Sequence, residues 1–231
     1  LGNALADLLF GAANPSGKLP TSFPVRYEDN PAYINYPGEN GEVLYGEGLF
    51  VGYRYYDAKK IAPLFAFGHG LSYTTFAYGD VTLSQAAYQA GEPIEFAIEV
   101  TNTGSIAGQE TVQVYLHDVE SKLVRPEKEL VAFQKVALQP RESASVRFAL
   151  AEDALSYYDP QQGGWLSEPG AFEILVGSSS RDIRATATFT LEPPTDAILS
   201  VGDIAVDPAA PLSIDKTLGE ILDDEAGHAV L

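Results

Sequence analysis

The sequence predicts a mainly β protein whose largest part is a two-sheet sandwich, preceded by an irregular aromatic arm. Three observations carry this. Apolar and polar residues alternate in short runs between residues 79 and 193. Turn residues separate those runs. Ahead of them, residues 25–78 hold nine of the thirteen tyrosines yet keep no helical or strand period.

The sandwich rests on period-two alternation, which puts every second side chain on one face of a strand. Ile94, Phe96, Ile98 and Val100 alternate with Glu95, Ala97, Glu99 and Thr101. The runs Val112-Val114-Leu116, Val146-Phe148-Leu150 and Phe172-Ile174-Val176 repeat the pattern. Asn102-Thr103-Gly104 and Gln139-Pro140 supply turns between them. Short strands at this spacing suit a sandwich. Each large apolar side chain fully buried contributes roughly 1.5–3 kcal/mol, so this many inward positions can sustain a core.

The stretches on either side read differently. In residues 1–24, Leu1, Leu5, Leu8 and Leu9 recur at helical spacing, and Gly11 suits the position past a helix C-terminus. Asn14-Pro15-Ser16-Gly17 is a turn, and Lys18 to Phe23 a candidate short strand closed by Pro24. One helix and one strand cannot bury a core, so this stretch reads as the last piece of a domain whose body lies upstream. Residue 1 is Leu and the chain holds no methionine, which fits a fragment or a processed chain. Residues 25–78 are too rich in rings for disorder, and read as an arm pinned against a neighbouring domain. The expectation is that residues 45–57 are ordered only by docking on that missing body. In residues 194–231, Thr217-Leu218-Gly219-Glu220 has capping-box spacing, and Leu218, Ile221, Leu222, Ala226, Ala229 and Val230 form an apolar stripe for a short helix.

Composition narrows the function. The formal charge of −18 repels phosphate backbones, which argues against a nucleic-acid partner. No apolar run is long enough to span a membrane. The absence of cysteine excludes disulfides and thiolate metal sites and assigns no compartment. His69, His117 and His228 lie in three separate stretches without ligand spacing, so neither a metal site nor a cofactor is expected. His69, in the turn Phe67-Gly68-His69-Gly70-Leu71, reads as structural. The Gly46-Glu47-Gly48-Leu49-Phe50-Val51-Gly52 run lacks the spacing and the strand–turn–helix context of a dinucleotide loop.

Among the 32 acidic residues, Glu47 is the one singled out, because Tyr45, Phe50 and Tyr53 flank it. Its structural reading is an ion pair with Arg54 or another basic group. Flat rings with a polar tip can stack on sugars or fasten an arm to a domain. Most of the tyrosines are expected to fasten. Tyr45, Glu47 and Tyr53 are the candidates for approaching a substrate.

Five motifs in order carry a resemblance. Residues Leu1 to Gly11 with Asn14-Pro15-Ser16-Gly17-Lys18-Leu19-Pro20 resemble the end of the second domain of glycoside hydrolase family 3. Tyr45 to Asp57 resembles that family's linking arm, and Pro63 to Phe76 its entry into an immunoglobulin/fibronectin type III-like domain. Arg125-Pro126-Glu127-Lys128-Glu129-Leu130 and Gly177-Ser178-Ser179-Ser180-Arg181-Asp182-Ile183 match inside that domain. The form of the arm is closer to the β-glucosidase branch than to the β-xylosidase branch.

The resemblance implies four segments: 1–24 ending an α/β sandwich domain, 25–78 the arm, 79–193 the fibronectin type III-like domain, and 194–231 a C-terminal extension. It implies a retaining exo-glycosidase in which an aspartate attacks the anomeric carbon and a glutamate serves as acid and base. Both lie upstream of the opening motif in that family, so no catalytic residue falls in this chain. The implied partners are a β-glucoside or oligosaccharide and the N-terminal catalytic domains. The chain alone is expected to be inactive. The alternative is a free-standing, non-enzymatic β-sandwich module for carbohydrate binding or adhesion.

Overall fold

The computed structural model describes residues 2–193. Leu1 and the helix expected over 217–230 lie outside them. The described residues form a mainly β structure, with eleven strands and two short α-helices among them.

In chain order the strands are β1 (Phe76–Tyr78), β2 (Thr82–Leu83), β3 (Ala87–Tyr88), β4 (Ile94–Asn102), β5 (Gly108–Asp118), β6 (Glu129–Leu138), β7 (Ser143–Leu150), β8 (Tyr157–Asp159), β9 (Gly164–Leu166), β10 (Gly170–Ser179) and β11 (Asp182–Leu191). One sheet centres on β4, with β7 along one edge and β1 and β2 sharing the other. The second runs β3-β11-β10-β5-β6, antiparallel except where β3 joins β11. β8 and β9 form a separate ribbon.

The four expected strands are present, and their alternating residues build the core. Ile94, Phe96, Ile98, Val100, Val146 and Leu150 of one sheet face Val112, Val114, Leu116, Phe172, Ile174 and Val176 of the other. The alternation misses β6 and β11. β6 is an edge strand with its centre exposed and a register shift against β5, so no clean period survives. β11 alternates Thr with Ala over much of its length, too little apolar contrast to mark an inward face.

At β4 and β7 only alternate residues are buried, but at β5 everything from Val112 to Leu116 is. The inward Val112, Val114 and Leu116 follow the sequence pattern. Gln113 and Tyr115 point the other way and are buried because the arm crosses above them.

The turn at Asn102 is a junction. Its fully buried side chain donates to the carbonyl oxygens of Ile106 (2.8 Å) and Leu138 (3.2 Å) and accepts from Thr74 Oγ1 (2.6 Å) and the Gly104 N–H (3.1 Å). It ties the end of the arm to the β4–β5 turn and to β6. A buried amide with all these bonds made costs little to bury.

Helix α1 (Gly2–Leu9) buries none of its residues, and Leu5, Leu9 and Phe10 are largely exposed. Gly11, at φ 76°, ends it in the left-handed conformation that glycine adopts without strain. The Tyr73 hydroxyl donates to the Leu8 carbonyl (2.6 Å). Asn14 then fastens the turn: its Nδ2 donates to the Ala107 carbonyl (3.0 Å), and its Oδ1 accepts from Ser72 Oγ (3.1 Å) and the Tyr73 N–H (2.8 Å). The strand expected over Lys18–Phe23 is reduced to a single bridge, Phe23 to Phe65, plus two hydrogen bonds between Leu19 and residues 68 and 69. Pro20 and Pro24 lack N–H donors, which leaves too few for a ladder.

Candidate functional site

The arm has two halves. Residues 52–70 lie on the outer face of the second sheet. Residues 27–51 project, and carry the exposed rings.

The inner half contains α2 (Tyr53–Ala58), entered through Gly52 at φ 55°. A clasp from the sandwich meets it residue by residue. The Leu130 N–H donates to the Tyr53 hydroxyl (2.8 Å), Glu129 pairs with Arg54 (3.1 Å), Lys128 pairs with Asp57 (2.6 Å), and Glu127 pairs with Lys60. A second clasp comes from the β10–β11 turn. Arg181 pairs with Asp57 (2.9 Å) and donates to the Ile61 carbonyl (3.0 Å), while the Ser180 N–H donates to the Phe67 carbonyl (2.9 Å). Thus the two sandwich motifs that stood out in the sequence, 125–130 and 177–183, both hold the arm.

Asp57 is 3% exposed and receives one cation on each oxygen. Arg125, behind the first clasp, is gripped by Asp118 (3.2 Å), Glu129 (2.8 Å) and the Leu155 carbonyl (2.8 Å). Burial pushes the Asp118 carboxyl above its ordinary range, against the pull of Arg125.

Tyr53 therefore sits inside the seam. Its ring lies 5.0 Å from Phe67 and 5.7 Å, edge to face, from Tyr115. Burial raises the Tyr115 phenol well above its usual range. The Tyr115 hydroxyl donates to Gln113 Oε1 (2.7 Å), and Gln113 Nε2 donates to the carbonyls of Gly68 (3.1 Å) and Ser178 (2.7 Å). The expectation that residues 45–57 need a missing body for order is corrected here for 53–57. The Tyr53 ring and the ion pairs of Arg54 and Asp57 are satisfied by the sandwich itself.

Gly68 marks how close the approach is. It holds φ 79°, and a Cβ there would stand 2.0 Å from Gln113 Oε1. Gly68→Ala should lose about 1–2 kcal/mol to the left-handed backbone alone, and more by displacing the pinned Gln113. The check is the urea midpoint; an unchanged midpoint would mean that the arm does not lie here in solution.

In the outer half, Tyr45 is 87% exposed. Glu47 is half-buried and accepts from Asn35 Nδ2 (3.1 Å). The ion pair expected between Glu47 and Arg54 is not formed, because Arg54 is committed to Glu129. Glu47 and Asn35 form part of the wall of an open cleft of about 520 Å³, with Glu28, Tyr33, Phe50 and Tyr55 among its other lining residues. Tyr27 and Tyr33 pack edge to face at 5.2 Å beside it, and Arg26 pairs with Asp29 (2.8 Å). The cleft offers a carboxylate, an amide and aromatic faces, a combination suited to a polyol. Tyr45 and Glu47 thus share the projecting half, whereas Tyr53 lies in the seam.

His69 stacks on Phe65 at 5.4 Å, above an apolar hollow shared with Leu19, Phe23 and Leu71. Among the described residues no cluster of His, Asp and Glu could hold a metal ion. No described helix is long and apolar enough to cross a membrane.

Comparison with known proteins accounts for both parts of this arrangement. Residues 1–53 match the glycosyl hydrolase family 3 C-terminal domain, and residues 110–180 match the fibronectin type III-like domain. The thermostable beta-glucosidase B of Acetivibrio thermocellus is 47% identical over 96% of this chain, which covers 30% of that protein. The crystal structure of a beta-glucosidase from Kluyveromyces marxianus in complex with glucose superposes with a TM-score of 0.79 at 44% identity, over 83% of this chain and 23% of that one. A GH3 beta-glucosidase from Bifidobacterium adolescentis gives 0.79 at 41% identity, over 99% of this chain and 32% of that one. The chain therefore spans less than a third of the length of these relatives. With both domain matches in order and relatives this similar along nearly all of its length, the chain belongs to glycoside hydrolase family 3 and corresponds to the C-terminal region of its members.

Proposed function

We propose that this chain serves a retaining, exo-acting β-glucosidase as the part that docks on the catalytic domains and presents the arm to them. The observation that carries this is the double clasp. It fixes the inner half of the arm to the sandwich and leaves the outer half, with its cleft and exposed rings, projecting. A scaffold that spends ion pairs holding a loop base while leaving its tip unsupported is arranged to present the tip. The exposed Leu5 and Leu9 of α1, and Phe10 just after it, offer further apolar surface for the same contact.

The partners proposed are the N-terminal catalytic domains and a β-glucoside or oligosaccharide. The nucleophilic and acid/base carboxylates belong to those domains, and no residue here takes either role. Tyr45 and Glu47 are the residues proposed to lie near substrate, Tyr45 by stacking and Glu47 by accepting from a sugar hydroxyl. Tyr53 completes the set as the pivot that fixes where the other two stand. Neither a cofactor nor a metal enters this chemistry.

The test pairs the chain with the intact protein. The chain alone should not hydrolyse an aryl β-glucoside above a blank, and the intact protein should. In the intact protein Glu47→Gln should raise KM several-fold with a smaller change in kcat, as expected for lost ground-state contacts. Turnover by the chain itself, abolished in Glu47→Gln, would place the chemistry in this chain and overturn the proposal.

A further inference from the structure

The single tryptophan of the sequence, Trp165, is 75% exposed. It stands on β9 directly opposite Tyr158 of β8, which is 52% exposed. The two rings meet nearly at right angles (77°), with centroids 5.9 Å apart. Isolated apolar residues at a surface are ordinary, but two large rings paired on one face are not scattered residues.

The ribbon that carries them is held firmly from behind. Tyr157 and Leu166 oppose one another at the neighbouring pair, so alternation turns them to the other face. Tyr157 is buried, with the Arg125 guanidinium 5.6 Å from its ring centroid. The turn is also closed: Asp159 accepts from the Gln161 N–H through its carboxylate (2.8 Å) and from the Gly163 N–H through its carbonyl (2.8 Å). The backbone that carries the rings therefore loses little freedom on binding.

Their polar ends are unspent. Neither the indole N–H of Trp165 nor the hydroxyl of Tyr158 has a partner among the described residues, and the pair lines none of the clefts described above. An open surface that offers a ring face beside two free polar groups suits an extended chain ligand. The charge of −18 disfavours a polyanion. A pyranose ring offers an apolar C–H face to stack on an aromatic and hydroxyl groups to meet an N–H and an O–H.

We propose that the Tyr158–Trp165 pair is a binding platform for a neutral oligosaccharide chain. The choice of a sugar rests on the β-glucosidase reading above; the platform itself rests on the ring geometry.

Because Trp165 is the only tryptophan, its fluorescence reports the site in the 231-residue chain. Titration with a soluble linear β-glucan hexasaccharide should give a saturable emission change, with a Kd on the order of a millimolar. Glucose should bind about tenfold or more weakly. Tyr158→Ala, which retains the reporter, should weaken hexasaccharide binding by a similar factor while leaving the urea midpoint unchanged. No emission change, or an equal response in Tyr158→Ala, overturns the proposal. So does an emission change that follows protein concentration and sedimentation rather than sugar, which would make the pair a contact between copies. Aryl β-glucoside hydrolysis by the intact protein separates the two readings. Hydrolysis without binding removes the platform alone, and binding without hydrolysis removes the β-glucosidase reading alone.

Discussion

Asp57→Ala should cost about 3–5 kcal/mol and lower the unfolding midpoint of the whole described structure, arm and sandwich together. Asp57 is 3% exposed, and its two oxygens take Lys128 at 2.6 Å and Arg181 at 2.9 Å. Removing the carboxylate leaves the Lys128 ammonium, itself only 11% exposed, without a counter-charge. An orphaned buried charge is costlier than a missing ion pair, and this asymmetry sets the size of the effect. Arg181, at 38% exposed, can turn to water and adds less. The double variant Asp57→Ala, Lys128→Met should therefore regain a large part of the loss. Urea unfolding followed by circular dichroism reads both. A loss under about 1 kcal/mol for Asp57→Ala would mean that the clasp is open in solution.

Tyr115→Ala should cost about as much, roughly 3–5 kcal/mol by analogy with other large buried aromatics. Tyr115 has no exposure although it points away from the sandwich core. Its ring is covered by Tyr53, and its hydroxyl holds Gln113, which in turn holds Gly68 and Ser178. Tyr115→Phe keeps the ring and removes only the hydroxyl, so it should cost about 1–3 kcal/mol through the acceptor left on Gln113. If the arm were detached, Tyr115 would be a surface residue and Tyr115→Ala would change stability by less than about 0.5 kcal/mol. Thermal or urea midpoints of the two variants decide between these outcomes.

These effects bear on what the residues alone could reveal. The sandwich was legible where burial is one-sided. Ile94 to Val100 and Val146 to Leu150 alternate because each strand has one dry face. β11 hides because Thr and Ala differ little in hydrophobicity. α2 hides because six residues give less than two turns, too short for a period to register. The site was legible only in outline. Aromatic density marked the arm, but density does not say which surface the rings meet. Gln113 and Tyr115, which meet Gly68 and Tyr53 of the arm, lie in a strand whose inward residues drew the attention. The ion pairs of the seam join residues far apart in sequence, Asp57 to Lys128 across 71 positions, and no local pattern couples Asp57 to Lys128 or Arg181. The motifs at 125–130 and 177–183 were visible as resemblance, and only the fold explains them, as the two clasps.

The central claim is that the inner half of the arm and the sandwich fold as one unit, from which the outer half projects. Hydrogen exchange on the isolated 231-residue chain tests it most directly. The amides of Tyr55, Tyr56 and Lys59 donate along α2 and its N-cap, that of Ser180 donates across the seam, and that of Gly68 donates to the Leu19 carbonyl. They should exchange as slowly as those of β4 and β10, with protection lost in a single step with denaturant, while residues 39–50 exchange rapidly. Fast exchange at 55–59 and 68 beside a fully protected sandwich would contradict the account.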